Sequence, residues 1–189
     1  MSGAPEGQGP RERFEKIVHQ YHGRVFNFLY YMLGDREEAA DLTQDVFVKA
    51  YAAFASFRGE AQVYTWLSRI ARNLALNRAK RLQRERRAST DLDEVEQEQA
   101  SAEMANRSPT PADAVESEEL QKTVRRALEA LPPDLREVIV LRDVQGFSYE
   151  EMSEIMGCSL QATKSRLFRA RAALRQRLAP MLGRGEADG

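Results

Sequence analysis

An all-α protein, two small helical domains joined by an acidic flexible linker, is the fold class this sequence predicts. Three observations carry that prediction. Apolar residues recur at intervals of three and four at both ends of the chain, the spacing of a helix with one buried face. No stretch holds the alternating period of a strand, and no internal repeat appears beyond the two helical clusters. Between the clusters the charge reverses abruptly: residues 66–88 hold eight bases against Glu85, whereas residues 89–119 hold ten acids against Arg107.

The 189 residues fit one medium domain or two small ones. Hydrophobic content of 42% supplies real cores, while 30% charge and 8% aromatics favour small helical units. A net charge of −1 excludes a generally basic nucleic-acid coat, so any such surface is local. The lone Cys158 excludes an intrachain disulfide and fits a reducing compartment. No apolar run approaches the roughly 18–20 residues of a membrane span, and no signal-peptide pattern opens the chain. The expectation is a soluble cytoplasmic protein without membrane insertion.

Residues 1–10, "MSGAPEGQGP", lack periodicity and read as a disordered tail, as do residues 183–189. The first helix is marked by Phe14, Ile17, Val18, Tyr21, Val25, Phe28, Leu29 and Met32, with Gly34 as its stop. Asp35 and Glu38 make a D-x-x-E start for the second, which turns Ala39, Leu42, Val46, Ala50 and Phe54 inward until Arg58-Gly59 breaks it. A third helix runs from about Val63 to Arg87, with Leu67, Ile70, Ala71 and Leu74 as its stripe. These helices form one three- or four-helix domain over residues 11–88.

Residues 89–117 read as the linker: acidic, proline-containing, nearly free of large apolar side chains, and extended by self-repulsion. The second domain spans residues 118–182. Its helical period returns at Leu120, Val124, Ala127, Leu128 and Leu131 and ends at Pro132-Pro133. Asp134 starts another helix, which buries Leu135, Val138, Ile139 and Leu141 and closes at Gly146.

Ser148 and Glu151 then form an S-x-x-E capping box for a short helix that buries Met152, Ile155 and Met156 and stops at Gly157. Ser159 caps a last helix continuing to about Leu178, with Pro180 beyond. Two helices joined by a short glycine-containing turn are the helix-turn-helix pattern. The last helix carries Lys164, Arg166, Arg169, Arg171, Arg175 and Arg177 with no acid. Leu160, Leu167, Ala170, Leu174 and Leu178 mark its inward face. Gln161, Lys164, Ser165, Phe168 and Arg169 mark the face a recognition helix presents to base edges in the major groove. Lysine and arginine can read guanine there, glutamine adenine, and phenylalanine a thymine methyl. Arg171 and Arg175 suit phosphate positioning. Glu150, Glu151 and Glu154, on the preceding helix, would face away from DNA or toward a basic protein surface.

Two further segments carry a resemblance. "DREEAADLTQDVFVKAYAAFASFRG" and "YTWLSRIARNLALNRAKR" stand, in that order, ahead of the acidic stretch and of "SRLFRARAALR". The chain resembles an extracytoplasmic-function (ECF, group 4) sigma factor of bacterial RNA polymerase, over about residues 11–88 and 118–180. The resemblance implies that the front domain is sigma region 2 and the second domain sigma region 4. Asp41, Gln44, Asp45 and Phe47, in "DLTQDVF", would dock on the clamp helices of the polymerase β′ subunit. Asp41, Gln44 and Asp45 share a helical face at i, i+3 and i+4, which suits a basic partner.

The resemblance also places the promoter −10 element against the third helix. Trp66, Arg69, Asn73, Asn77 and Lys80 line up there at spacings of three and four, and an aromatic, amides and bases on one face suit unstacked bases plus phosphates. Two readings stand for Trp66, and equally for Tyr64: contact with a base, or a seal over the bundle core. In region 4, Gln161, Lys164, Ser165, Phe168, Arg169 and Arg171 would read or hold the −35 element; Lys164 stands where the family often has arginine. The helix of about Asp134–Val144 would dock on the β flap. The linker would either thread the RNA-exit channel as a mimic of nucleic acid or serve as a plain tether. Elements about 16 base pairs apart at ~3.4 Å each lie roughly 55 Å apart, and about 30 linker residues bridge that span when partly extended. An anti-sigma protein is a further partner the family implies.

His19 and His22 stand at an i, i+3 spacing, but Cys158 does not complete a ligand set, so no metal is expected. No phosphate-binding loop, nucleophile elbow or paired-carboxylate arrangement is present, and the chain reads as neither an enzyme nor a cofactor carrier. The rival readings are a stand-alone helix-turn-helix transcriptional regulator, with a palindromic operator, and an anti-sigma or adaptor protein that imitates a sigma surface. The sequence leaves the mutual orientation of the two domains open.

Overall fold

The computed structural model describes residues 9–57, 62–89 and 111–182. Every regular element among them is helical: α1 (Pro10–Leu33), α2 (Arg36–Phe54), α3 (Val63–Ser89), α4 (Pro111–Glu129), α5 (Pro133–Ile139), α6 (Tyr149–Met156) and α7 (Leu160–Leu182). The π turn Val140–Val144 continues α5.

The front domain is a bundle of α1, α2 and α3. α1 ends where Gly34 takes a left-handed conformation (φ 78°), its N–H donating to the Tyr30 carbonyl at 2.8 Å. The side chain of Asp35 then caps α2 by accepting from the Glu38 N–H at 2.9 Å. The Glu38 carboxylate itself reaches across to Arg78 of α3 and raises the pKa of that guanidinium, chiefly through the hydrogen bond. Phe28, Leu29, Met32, Val46 and Leu67 fill the centre of the bundle.

The second domain holds α4 to α7. α6 opens with the full capping box: the Glu151 N–H donates to Ser148 Oγ (3.1 Å) and the Ser148 N–H donates to the Glu151 carboxylate (2.8 Å). Gly157 stops α6 at φ 63°, and the Ala162 N–H donates to Ser159 Oγ at 3.2 Å to start α7. Cys158, half-buried in this turn, lies 3.3 Å from the Thr163 hydroxyl. Ser148→Ala removes one member of the box and should lower the stability of the domain by about 1 kcal/mol, as urea denaturation would read it. An unchanged midpoint would show that the box adds nothing.

Several boundaries differ from those the sequence suggests. Residues 90–110, most of the expected linker, lie outside the described residues, as do the tails 1–8 and 183–189. α4 begins at Pro111, inside the stretch assigned to the linker. Proline is accommodated at a first helical position, the acids that follow favour a helix N-terminus, and alanine and glutamate are strong helix formers. Leu120, expected inward, is 51% exposed. α7 runs on through Pro180 to Leu182, because a proline so near the end removes little of the hydrogen-bond ladder.

The two domains pack directly on each other, which no local pattern announced. α3 lies against α5 and α6, and α1 against α4 and α5, so one continuous core joins both domains. Arg136 of α5 is central to it. Its buried guanidinium donates to the carbonyls of Leu128 (2.9 Å), Glu129, Leu131 (3.2 Å) and, across the domain boundary, Met32.

Candidate polymerase- and nucleic-acid-binding surfaces

On α7 the two faces separate as the spacing requires. Thr163, Leu167 and Ala170 are buried, whereas Gln161, Lys164, Ser165, Phe168 and Arg169 are exposed. Phe168 is 72% exposed, an unusual position for a large apolar ring on a helix that has a core to pack into. Lys164 also lies 5.6 Å from the centre of the Tyr149 ring, over which Arg142 sits at 4.9 Å. Arg171, expected to position phosphates, has an intramolecular partner in the free chain. Its guanidinium is held by both carboxylate oxygens of Asp143 in the π turn, one at 3.1 Å, and the hydrogen bond raises its pKa. The pair ties α7 to the turn.

On α2, Asp41, Gln44 and Asp45 are exposed together, and Val48, one turn further along, is 68% exposed. Val48 extends this acidic face with an exposed apolar side chain, a position the sequence reading did not single out. Phe47, expected on this face, is only 7% exposed. Its ring packs edge-on against Phe14 (6.4 Å) and stacks on His22 (6.0 Å). Successive helical residues diverge by about 100°, so a chain that turns Asp45 and Val48 outward turns Val46 and Phe47 inward.

On α3, Arg69, Asn73, Asn77 and Lys80 are exposed, and Trp66 is half-buried with its ring 4.7 Å from Phe57. Tyr64 takes the core reading. It is 5% exposed, and its ring lies nearly parallel to those of Tyr21 of α1 (5.4 Å) and Phe147 of the second domain (5.0 Å). Arg24 lies 3.7 Å over the same ring, and the Tyr64 hydroxyl donates to Gln145 at 2.5 Å. Burial raises the Tyr64 pKa, against the opposing charge of Arg24. The π turn brings Gln145 to this position: it spaces the backbone i to i+5, with the Gln145 N–H donating to Val140 at 2.9 Å.

Carboxylates of the second domain reach the same helix. Arg69 donates to both the carboxylate (3.2 Å) and the backbone carbonyl (2.9 Å) of Glu154. Lys80 lies 3.7 Å from Asp134. Arg72 pairs with Glu137, whose side chain has no exposure at all. Burial raises the Glu137 pKa more than Arg72, and more remotely Arg166, lowers it, while Asp134 adds to the rise. A raised carboxyl pKa means that the folded state favours the protonated form. The stabilisation from this group is therefore fullest below the ordinary glutamate range and declines as pH rises through the raised value. Of the acids in the sequence "SYEEMSE", Glu151 serves as the cap and Glu154 meets a basic protein surface, while Glu150 stays exposed. Among the described residues no cluster of three metal-ligating side chains occurs, and no helix is long and apolar enough to cross a membrane.

This pairing of a three-helix bundle with a helix-turn-helix domain has known counterparts. Residues 17–85 match the family described as Sigma-70 region 2, and residues 121–174 match Sigma-70, region 4. The chain is 39% identical over 184 residues to the ECF RNA polymerase sigma-E factor of Escherichia coli K12, covering 94% of this chain and 92% of that protein. It is 34% identical over 179 residues to the RNA polymerase sigma-H factor of Pseudomonas aeruginosa, covering 93% and 91%. Among solved structures, the sigma factor RpoE of Bartonella quintana, crystallised with the anti-sigma factor NepR, aligns with a TM-score of 0.66 at 27% identity, covering 94% of this chain and 99% of that one. The chain belongs to the sigma-70 family of RNA polymerase sigma factors. Within that family it is similar to an ECF sigma factor, and it carries regions 2 and 4 in that order.

Proposed function

We propose that this chain is a group 4 ECF sigma factor that binds core RNA polymerase in the cytoplasm and directs it to promoters carrying defined −10 and −35 elements. Residues 11–88 serve as the region 2 domain, 118–182 as the region 4 domain, and the acidic segment between them as a tether long enough to span both elements. One observation carries the reading: five of the six residues expected at the −35 element, Gln161, Lys164, Ser165, Phe168 and Arg169, are exposed together on α7 of a capped helix-turn-helix. In region 2, Trp66, Arg69, Asn73, Asn77 and Lys80 hold the −10 element, with the amides and the indole taking unstacked bases and the cations taking phosphates. Asp41, Gln44, Asp45 and Val48 dock on the β′ clamp helices, and the α5 helix docks on the β flap. An anti-sigma protein is the expected inhibitor, as in the Bartonella complex. The chain steers an enzyme and catalyses nothing itself.

In vitro transcription from a genomic fragment library, with core polymerase and with or without this protein, tests the proposal. Defined start sites that need the protein, with shared upstream motifs, are expected. Fragments retained by the protein alone, with no initiation, would make it a stand-alone regulator. Asp45→Arg reverses a charge on the exposed α2 face and should lower affinity for core polymerase tenfold or more in a competition pull-down. Equal competition with the unaltered protein would remove α2 from the interface.

A further inference from the structure

The start of α1, the end of α2 and the start of α3 meet around an open cavity of about 900 Å³. The sequence accounts for the space. α2 runs out in "YAAFASF", residues 51–57, and Ala52 and Ala55 on the cavity wall carry only methyl groups, too short to fill the gap between α1 and α3. The larger lining rings are held from behind. Tyr51 and Phe54 pack edge-on against the buried Phe14, at 5.1 and 5.2 Å, and Phe57 lies 4.7 Å from Trp66. The walls are therefore set by packing within the front domain, and an occupant would not have to order them.

The lining selects the chemistry of that occupant. Ile17, Phe54, Phe57 and Val63 are partly buried, and Tyr51 is 53% exposed, so apolar surface of each still meets solvent. Among the described lining residues, the side chains able to hydrogen-bond are those of Arg13 and Tyr51. A ligand with polar groups spread along its length would bury them without partners. A ligand with an apolar body and one polar end would not, and an apolar cavity with few polar groups is the usual form of a small-molecule site. Charge fixes the polar end. Arg13 is an exposed cation on the lining, no acid lines the cavity among the described residues, and the nearby Glu15 is engaged by Arg11 at 3.1 Å. A guanidinium takes a carboxylate through two parallel hydrogen bonds.

We propose that this cavity binds a monomeric amphiphile with a carboxylate head and an apolar chain, the chemistry of a fatty acid. Arg13 holds the carboxylate, with the Tyr51 hydroxyl as a further donor. The chain lies against Ile17, Phe54, Phe57 and Val63, in the space that Ala52 and Ala55 leave open. The site stands independently of the roles proposed for the promoter and polymerase faces.

Isothermal titration calorimetry of the full chain with decanoate, kept below its micelle-forming concentration, tests the proposal, with decanol as the uncharged analogue. Saturable one-to-one binding of decanoate is expected, and decanol should bind about tenfold more weakly for want of the charged hydrogen bonds. Arg13→Gln should weaken decanoate to the level of decanol and leave decanol unchanged. Ala55→Trp, which fills the cavity, should weaken both ligands. Arg11→Gln removes a like charge from the same end of α1 outside the cavity lining and should alter neither. Arg13 and Ala55 are both exposed, so the thermal midpoints should stay within the small range of surface substitutions and exclude loss of folding. Absence of saturable decanoate binding to the unaltered protein overturns the proposal. So does binding that Arg13→Gln and Ala55→Trp leave unchanged, or that Arg11→Gln weakens equally. Binding to vesicles of anionic phospholipid without binding of monomeric decanoate would make this surface a membrane contact, and would overturn it as well.

Discussion

Arg136→Ala is expected to lower the stability of the protein by about 3–5 kcal/mol, the largest single loss we anticipate outside the purely apolar core. The reason begins with two prolines. α4 ends at Glu129, and the chain continues into Pro132 and Pro133, which have no N–H to return to the last helical carbonyls. The guanidinium of Arg136 takes over that task, donating to Leu128, Glu129 and Leu131, and also to Met32 at the end of α1. With the side chain gone, several buried carbonyls lose a charged donor, each at a cost of about 1–3 kcal/mol. Lysine restores the charge but not the planar fork, so Arg136→Lys should recover only a small part of the loss. Urea denaturation of the full chain measures both. A loss below about 1 kcal/mol for Arg136→Ala would mean that the carbonyls find other partners.

That arginine also shows which part of the structure the sequence concealed. Its partners lie five to eight residues earlier and, across the domain boundary, 104 residues earlier, and no periodicity marks such a contact. The same holds for the joint between the domains. Tyr64 stacks on Phe147 and Arg69 grips Glu154 across 85 residues, yet each of the four reads locally as a bundle, loop or surface residue. Local signals, in contrast, were legible because they are carried by neighbours. Gly34 and Gly157 stop their helices in left-handed conformations, Ser148 with Glu151 closes a reciprocal cap, and the apolar stripes of α1 to α3 face one core. The π turn escaped because its i to i+5 spacing follows neither the strand nor the α-helix period, yet it leads into Gln145 and Phe147, which meet Tyr64.

On the candidate surfaces the same division applies. The exposed face of α7 follows from its 3.6-residue period, so Gln161, Lys164, Ser165, Phe168 and Arg169 could be named from spacing. The pairing of Arg171 could not be read that way, since its partner Asp143 stands 28 residues earlier. Phe47 failed for a different reason. It stands between Asp45 and Val48 in the sequence, but an angular step of about 100° per residue puts it on the bundle side. A motif shared with a family names a segment, and only the packing says which of its side chains remain available.

Lys164→Ala combined with Arg169→Ala should reduce transcription from a −35-dependent promoter by at least about 30-fold, since each side chain is worth about 1–3 kcal/mol if it reads a base. Both are exposed, and neither carries the core: the neighbouring Leu167 and Ala170 do that. Their positions five residues apart place them about 7.5 Å apart along the helix axis, far enough for their effects to be nearly additive. Loss of folding is excluded by measuring the thermal midpoint, which should stay within the small range of surface substitutions. Arg171→Ala supplies the contrast. Because its guanidinium is held by Asp143, it should loosen α7 and reduce output without changing which −35 bases are preferred. A lost base contact relaxes preference at one position, whereas a lost phosphate contact weakens all promoters alike and flattens the salt dependence. Output from single-base variants of the −35 element therefore separates the roles. If the double variant retains full output and the unaltered base preference, α7 does not read the element through these two side chains, and Phe168 with Gln161 becomes the remaining means of recognition on its exposed face.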